Sequence, residues 1–338
     1  MRPLTNEFSW SFSRDRLFRH CLRAYYYHYY AYWGGWSVAA PPEVRQLYLL
    51  RQLKAMASWV GGVVEWTLLK AIHRLRAGDS VDLATLWGWA RERLRAGWQA
   101  SRRNLESTNL KAFRLFEHYY AAIDPAVVPE ERARQARDRV RRCLEHAWNS
   151  GILAEIASVP EDAWLRLPAP IPPENSDRPL PDSFVLDQVR IWVGLDLAYR
   201  DGDLLRIRDW KTGRAYSGDR AQMDCYALYA LAKWPHTRLH QVRTMLVYLQ
   251  NEGPWEEMTP TPESVHATRE WIAASVQRMR ERLLDREQNQ ARIEDFPVTE
   301  DGTRCWQCNF RAICPEGWER TRSALPPPEE EETPFDAE

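Results

Sequence analysis

A proline-rich passage, RLPAPIPPENSDRPLPD (residues 166–182), separates two stretches of chain whose apolar residues repeat with different periods. Proline lacks an amide hydrogen and clashes with the helical turn before it, so no helix runs through this passage and an extended connector is expected. Before it, Trp59, Val63, Trp66, Leu69 and Ile72, then Val140, Leu144 and Trp148, recur at helical spacing, which predicts a helical region over 37–165. After it come short β-type runs at 184–186, 189–193, 195–199 and 204–209, with turn residues at 187–188 and 200–203. That pattern predicts a meander of hairpins. A helix over about 219–234, a strand over 243–250 and a helix over about 262–288 are expected next. With 338 residues, 44% of them hydrophobic, the chain can bury a large core, and it shows no internal repeat.

The formal net charge of -1 excludes a global electrostatic drive toward nucleic acid, so any such footprint has to be local. Over 91–142 there are 13 basic against 7 acidic residues, and Arg134, Arg137 and Arg141 share one helical face. Such a face suits a phosphate backbone, and equally suits a solvated helix laced with i to i+4 ion pairs. No run of 18 apolar residues occurs and the start has no apolar leader, so a cytoplasmic protein with no membrane partner is expected. In that compartment six Cys are expected as thiols or metal ligands rather than disulfides. The acidic, proline-rich end, 323–338, is expected to be a disordered tail.

The stretch RIRDWKTGRA (206–215) carries the chemistry. Side chains alternate along a strand, so Asp209 and Lys211 share a face, while Asp196 belongs to the neighbouring strand of the hairpin. Two carboxylates beside an ammonium can hold a hard divalent cation such as Mg²⁺ or Mn²⁺, which polarises a phosphodiester and acidifies an attacking water. Gln222 and Tyr226, at i and i+4 of the next helix, project from one side, where an amide and a phenol can grip a phosphate or orient Lys211. A solvated strand edge and an ordinary packed helix are the bland alternatives for these two elements.

Taken in order, Gly194-x-Asp196, Asp209-x-Lys211-Thr212-Gly213 and Gln222-x-x-x-Tyr226 resemble the motifs of the PD-(D/E)XK nuclease superfamily, in its RecB-like branch. The resemblance implies a central mixed β-sheet flanked by helices, a restriction-endonuclease-like core, and a Mg²⁺- or Mn²⁺-dependent DNA nuclease. In it Asp196 and Asp209 are metal ligands, Lys211 is the catalytic lysine, and Gln222 with Tyr226 forms the third motif.

The two ends of the chain carry a second pattern. Cys305, Cys308 and Cys314 are spaced C-x2-C-x5-C, and Cys21 is the natural fourth ligand of a soft metal centre. By spacing alone the centre is a zinc site or an iron-sulfur cluster. One Cys before the core and three after it resembles the iron-sulfur branch of these nucleases, the CRISPR-adaptation exonucleases and AddB-type subunits. That resemblance implies a 4Fe-4S cluster acting as a structural staple. Cys143 and Cys225 lie outside the pattern and are expected as small buried residues.

One position departs from the family. Where a Gly-x-x-x-His segment is usual, Glu65 follows Gly61. A carboxylate suits Mg²⁺, which makes Glu65, Asp196 and Asp209 a candidate triad. Glu65 as a plain helix-surface residue, or as the mark of a weakened enzyme, are the alternatives. The run from Tyr25 to Trp36 offers stacking platforms for bases, yet Phe18, Leu22, Tyr25, Tyr29, Tyr32 and Trp36 follow helical spacing and are expected to pack inward, leaving Tyr27 and Tyr30 for solvent or DNA.

The expected organisation is an N-terminal segment with the first cluster Cys (1–36), the helical region as a large insertion (37–165), the connector (166–182), the nuclease core (183–300), a Cys-rich segment (301–322) and the tail. The expected reaction is hydrolysis of DNA, from ends or single strands. A catalytically silent DNA-binding or scaffold subunit of a DNA-processing complex is the alternative. The chain has no G-x-x-x-x-G-K-[ST] loop, so a helicase is a conceivable partner in repair, CRISPR adaptation or phage defence.

Overall fold

The computed structural model describes residues 5–125, 127–175, 180–215, 218–251 and 255–322. Strand β1 (Ser9–Trp10) leads into helices α1 (Phe12–His20) and α2 (Leu22–Tyr26). Helix α1 starts where the Ser11 hydroxyl accepts from Arg14 N at 3.1 Å, satisfying a donor that the first turn would leave open. Helices α3 (Pro42–Gln52), α4 (Met56–Arg76), α5 (Leu83–Arg103), α6 (Phe116–Ala121), α7 (Pro129–Asn149) and α8 (Ile152–Ala157) follow. Proline opens α3 and α7, where its missing N–H removes no bond. Asp82 caps α5 through Thr85 N at 2.7 Å, and the buried Glu117 carboxylate accepts from Met56 N at 3.0 Å where α4 begins.

Beyond these helices the chain builds two mixed sheets. The larger has the order β2-β5-β6-β7-β8, from β2 (Trp164–Arg166), β5 (Leu197–Asp201), β6 (Leu204–Lys211), β7 (Val242–Tyr248) and β8 (Glu257–Met258). Strands β5 and β6 form a tight hairpin that turns on Gly202, at φ +55°. Strands β6 and β7 run parallel, from Leu205 opposite Val242 to Lys211 opposite Tyr248. Parallel neighbours need a crossover, and α9 (Asp219–Lys233) provides it. The smaller sheet, β1-β4-β3, contains β3 (Asp182–Leu186) and β4 (Val189–Val193), joined by Asp187 and Gln188 in the left-handed region. Helix α10 (Pro262–Glu281) and α11 (Pro315–Arg322) are the last α-helices among the described residues.

Period-two alternation sends the larger sheet's side chains into two cores. Leu197, Trp210, Val247 and Leu249 pack with α4, α5, α7 and α8, whereas Ala198, Leu205, Ile207, Val242 and Leu246 pack with α9 and α10. The architecture is therefore mixed α/β, sheet flanked by helices, as expected. A third core joins Tyr27, Tyr32, Leu50, Phe116 and Tyr120 to Phe310 and Cys314, so the two ends of the chain share one apolar cluster. Among the described residues no helix is long and apolar enough to cross a membrane.

Several expectations need correction. The hairpins are not one meander: β3–β4 and β5–β6 belong to different sheets, and the path breaks at Gly194, Leu195 and Asp196. Tyr27 and Tyr30 are buried, at 7% and 8% exposure, while Trp36 is 38% exposed. The segment, which winds as a π-helix over Tyr27–Ala31, is covered on both sides: Tyr27 and Tyr32 pack with Phe310 and Cys314, and Tyr25 and Tyr30 with Phe296. Helix α10 stops at Glu281, and the chain then turns back on itself, with Leu284 N donating to Gln290 O at 2.9 Å, Asn289 in the left-handed region and the Asp285 carboxylate accepting from Glu287 N and Gln288 N. The connector is tied down where it is described: Glu174 accepts from Trp59 Nε1 at 3.2 Å and Pro168 O lies 2.9 Å from His73 Nε2. Residues 176–179 of the connector and the tail 323–338 lie outside the described residues.

Candidate active site and cysteine centre

Strand β6 ends in Asp209, Trp210 and Lys211, and alternation turns Asp209 and Lys211 toward α9. Lys211 Nζ lies 2.7 Å from Asp209 Oδ2 and donates to Gln222 Oε1 at 2.8 Å. Gln222 Nε2 donates to the Tyr226 hydroxyl at 2.7 Å, and that hydroxyl lies 3.0 Å from both Asp209 Oδ1 and Gly194 O. Asp196 stands just before β5, across from Asp209, where its Oδ2 accepts from Trp210 N at 2.7 Å. The structure thus brings together all five residues that the motif pattern singled out.

The charges are unevenly matched. Burial, reinforced by the negative charges of Asp209 and Glu65, holds the Asp196 carboxyl well above the usual carboxylate range, against the pull of the Trp210 N–H and Lys211. Burial alone would lower Lys211, but its pairing with Asp209, helped by Asp219 and Asp196, raises it, so it stays a cation. The Tyr226 phenol is pushed well above its ordinary value by burial and by Asp209 and Asp196, and remains a neutral hydroxyl.

Glu65 reaches this neighbourhood because α4 runs close to the end of β6. A side-chain carbon at Gly61 would come within 3.3 Å of Thr212 Oγ1, so the absence of one permits the approach. Glu65, four residues on, lies on the same side of α4. Among the described residues, however, no group of three or more His, Cys, Asp or Glu side chains is arranged to hold a metal ion as it stands. The donor chemistry nevertheless suits a hard cation: carboxylate oxygens of the buried Asp209 and the half-buried Asp196 and Glu65 stand near one ammonium.

The four patterned cysteines line one cavity of about 290 Å³ together with Phe310 and Arg311. Cys308 is pushed up to about 12 by burial, with the other three thiols adding to the effect. Asn309 fastens the loop to the end of α3 and to α6, its Nδ2 donating to Leu53 O at 2.9 Å and its carbonyl accepting from Tyr120 at 2.8 Å. Gly317 closes over Cys314, where a Cβ would lie 3.3 Å from Cys314 Cβ and 3.4 Å from its Sγ. Arg311 lines the same cavity, and its Nε and Nη1 are buried with no hydrogen-bond partner. Arg311 is ion-paired to Asp124 at 2.8 Å, yet two buried N–H-bearing nitrogens beside four thiols suit an acceptor-rich sulfur group better than an empty apolar core. Cys143 and Cys225 are buried elsewhere.

Of the remaining candidates, Arg137 pairs with Asp138 at 3.3 Å and Arg141 with Glu145 at 2.8 Å, while Arg134 is exposed. The motif reading missed three contributors. Trp210 N and Gly194 O are backbone groups that no side-chain pattern reveals. Asp219, whose charge helps keep Lys211 protonated, precedes Gln222 by one helical turn and was open to the same spacing argument.

A family model described as the PD-(D/E)XK nuclease superfamily matches residues 9–315. No curated protein matches the chain.

Proposed function

Because this chain belongs to the PD-(D/E)XK nuclease superfamily, we propose that it is a Mg²⁺- or Mn²⁺-dependent deoxyribonuclease that acts on DNA ends or single strands and is stapled by a 4Fe-4S cluster. On this reading 183–300 is the nuclease core, 37–165 a helical insertion, and 1–36 with 301–322 the clasp at the ends. One observation carries the catalytic part: Asp196 and Asp209 stand together beside a charged Lys211, and burial, reinforced by the charge of Asp209, raises the proton affinity of Asp196.

Asp196 and Asp209 would hold the divalent ion, with Glu65 drawn in as a third oxygen donor. When bound, the ion polarises the scissile phosphodiester and acidifies the attacking water. Lys211, held by Gln222, stays protonated and offsets charge that grows on the phosphate oxygens. Tyr226 fixes the rotamer of Asp209 through Oδ1 and keeps Gln222 in line. The basic excess of α5 and α7, with exposed Arg134, suits a DNA backbone.

For the cysteine centre, the four thiols around one cavity of about 290 Å³ and the two unpartnered Arg311 nitrogens support a polynuclear cluster, whose inorganic sulfurs would accept from them as a lone zinc ion cannot. Protein made without air should be brown, with broad absorption that bleaches on oxidation; colourless protein carrying zinc would overturn the cluster.

The second reading is a catalytically silent DNA-binding or scaffold subunit, favoured by Glu65 in place of the usual His and by carboxylates that do not yet converge. Labelled single-stranded DNA incubated with Mn²⁺ separates the two. Products from the wild type and none from Lys211→Ala support the enzyme, whereas equal products from both, or none from either, sink it.

A further inference from the structure

The guanidinium of Arg311 is wholly buried, three residues after Cys308 and three before Cys314. It is gripped on one side only. Nη2 donates to Asp124 Oδ2 at 2.8 Å, and the guanidinium carbon lies 4.2 Å over the Tyr120 ring, with Trp306 and Phe116 at 5.4 and 5.7 Å. Nε and Nη1 have no acceptor. One carboxylate bond and three aromatic faces leave a buried cation with unspent donors, an arrangement that folding disfavours unless something accepts from them. The same residue lines the cavity formed by Cys21, Cys305, Cys308 and Cys314, and its charge couples to Cys308.

We propose that Arg311 is a positioning residue that donates its remaining N–H groups to sulfur atoms of the cluster held by these cysteines and thereby stabilises the cluster's reduced, more negative form. This rests on the cluster reading above. Arginine suits the task because its fork is planar, its charge is permanent, and Asp124 with Tyr120 locks its orientation. Hydrogen bonds to cluster sulfurs are a principal lever on reduction potential.

The test uses full-length protein purified without oxygen, as wild type, Arg311→Lys and Arg311→Met, with iron and acid-labile sulfide counted first. Variants that keep wild-type iron and sulfide should show, in dithionite titrations followed by EPR, about a tenfold lower reduced-to-oxidised ratio at the wild-type midpoint, equivalent to about 59 mV for one electron. An unchanged midpoint in cluster-loaded variants overturns the proposal. If the variants do not fold, wild-type protein carrying ¹⁵N-arginine decides instead. Pulsed EPR of its reduced cluster should show guanidinium ¹⁵N coupling that persists in Arg320→Lys, whose native side chain bonds Cys305. Absence of that coupling, or its loss in Arg320→Lys, overturns the proposal. Wild-type protein without iron and sulfide removes the cluster reading itself, a failure distinct from an intact cluster indifferent to Arg311.

Discussion

Replacing Tyr226 by Phe removes one oxygen and keeps the ring, so its consequences can be worked from the hydrogen bonds alone. The hydroxyl accepts from Gln222 Nε2 and can give its single proton to Asp209 Oδ1 or Gly194 O. Gly194 is exposed and Gln222 half-buried, so water can replace their lost partner. Asp209 is only 4% exposed and has no such recourse. A hydrogen bond to a charged group contributes about 1.5–3 kcal/mol, so Tyr226→Phe should destabilise the fold by about 2 kcal/mol. In a chain of this size that lowers Tm by roughly 3 °C. The activity loss should be larger in relative terms. Gln222 loses the contact that orients it toward Lys211, and misplacement of a catalytic group by about 1 Å can cost about 100-fold. Nuclease turnover under Mn²⁺ saturation should therefore fall by about 10- to 100-fold, with thermal unfolding read on the same preparation. A variant with wild-type Tm and wild-type turnover would show that the hydroxyl organises nothing, and the chain of bonds from Gly194 to Lys211 would lose its role.

Asp196→Asn keeps an acceptor for Trp210 N but deletes a charge that its surroundings resist. Because the folded-state pKa is raised, the native state holds this proton more tightly than the unfolded chain does. The penalty for ionising is absent below the unfolded carboxylate range, grows as pH climbs from there through the folded value, and is complete above it. The variant should thus be inactive yet more stable than wild type at neutral pH, by about 1 kcal/mol or more, with the gap closing toward acid in denaturant titrations; a destabilised variant at pH 7 contradicts this. Glu65→Gln should raise the Mn²⁺ concentration for half-maximal activity by about tenfold, and an unchanged value would return Glu65 to the helix surface. Gly317→Ala places a methyl 3.3 Å from Cys314 Cβ, so the variant should lose iron in air several-fold faster than wild type; equal half-lives would show that the site has slack.

The features legible in the sequence are those set by local geometry. Alternation along 204–211 placed Asp209 and Lys211 on one face, and the i to i+4 interval placed Gln222 with Tyr226, because neighbours a few residues apart hardly depend on the rest of the molecule. Residues far apart in the chain meet only through packing, and there local pattern is silent. Around the π-helical turn at Tyr27–Ala31, Tyr27 and Tyr30 are buried along with Tyr25 and Tyr32, because neighbours from distant chain cover both sides of the segment. The break at 194–196 sent two similar hairpins into different sheets. The approach of Glu65 depends on a helix passing close to Thr212, and the orientation of Arg311 depends on Asp124 and Tyr120 from distant chain. Short-range periodicity determined which way side chains point, and tertiary packing decided what they meet, because contact energies between remote segments exist only once the chain has closed.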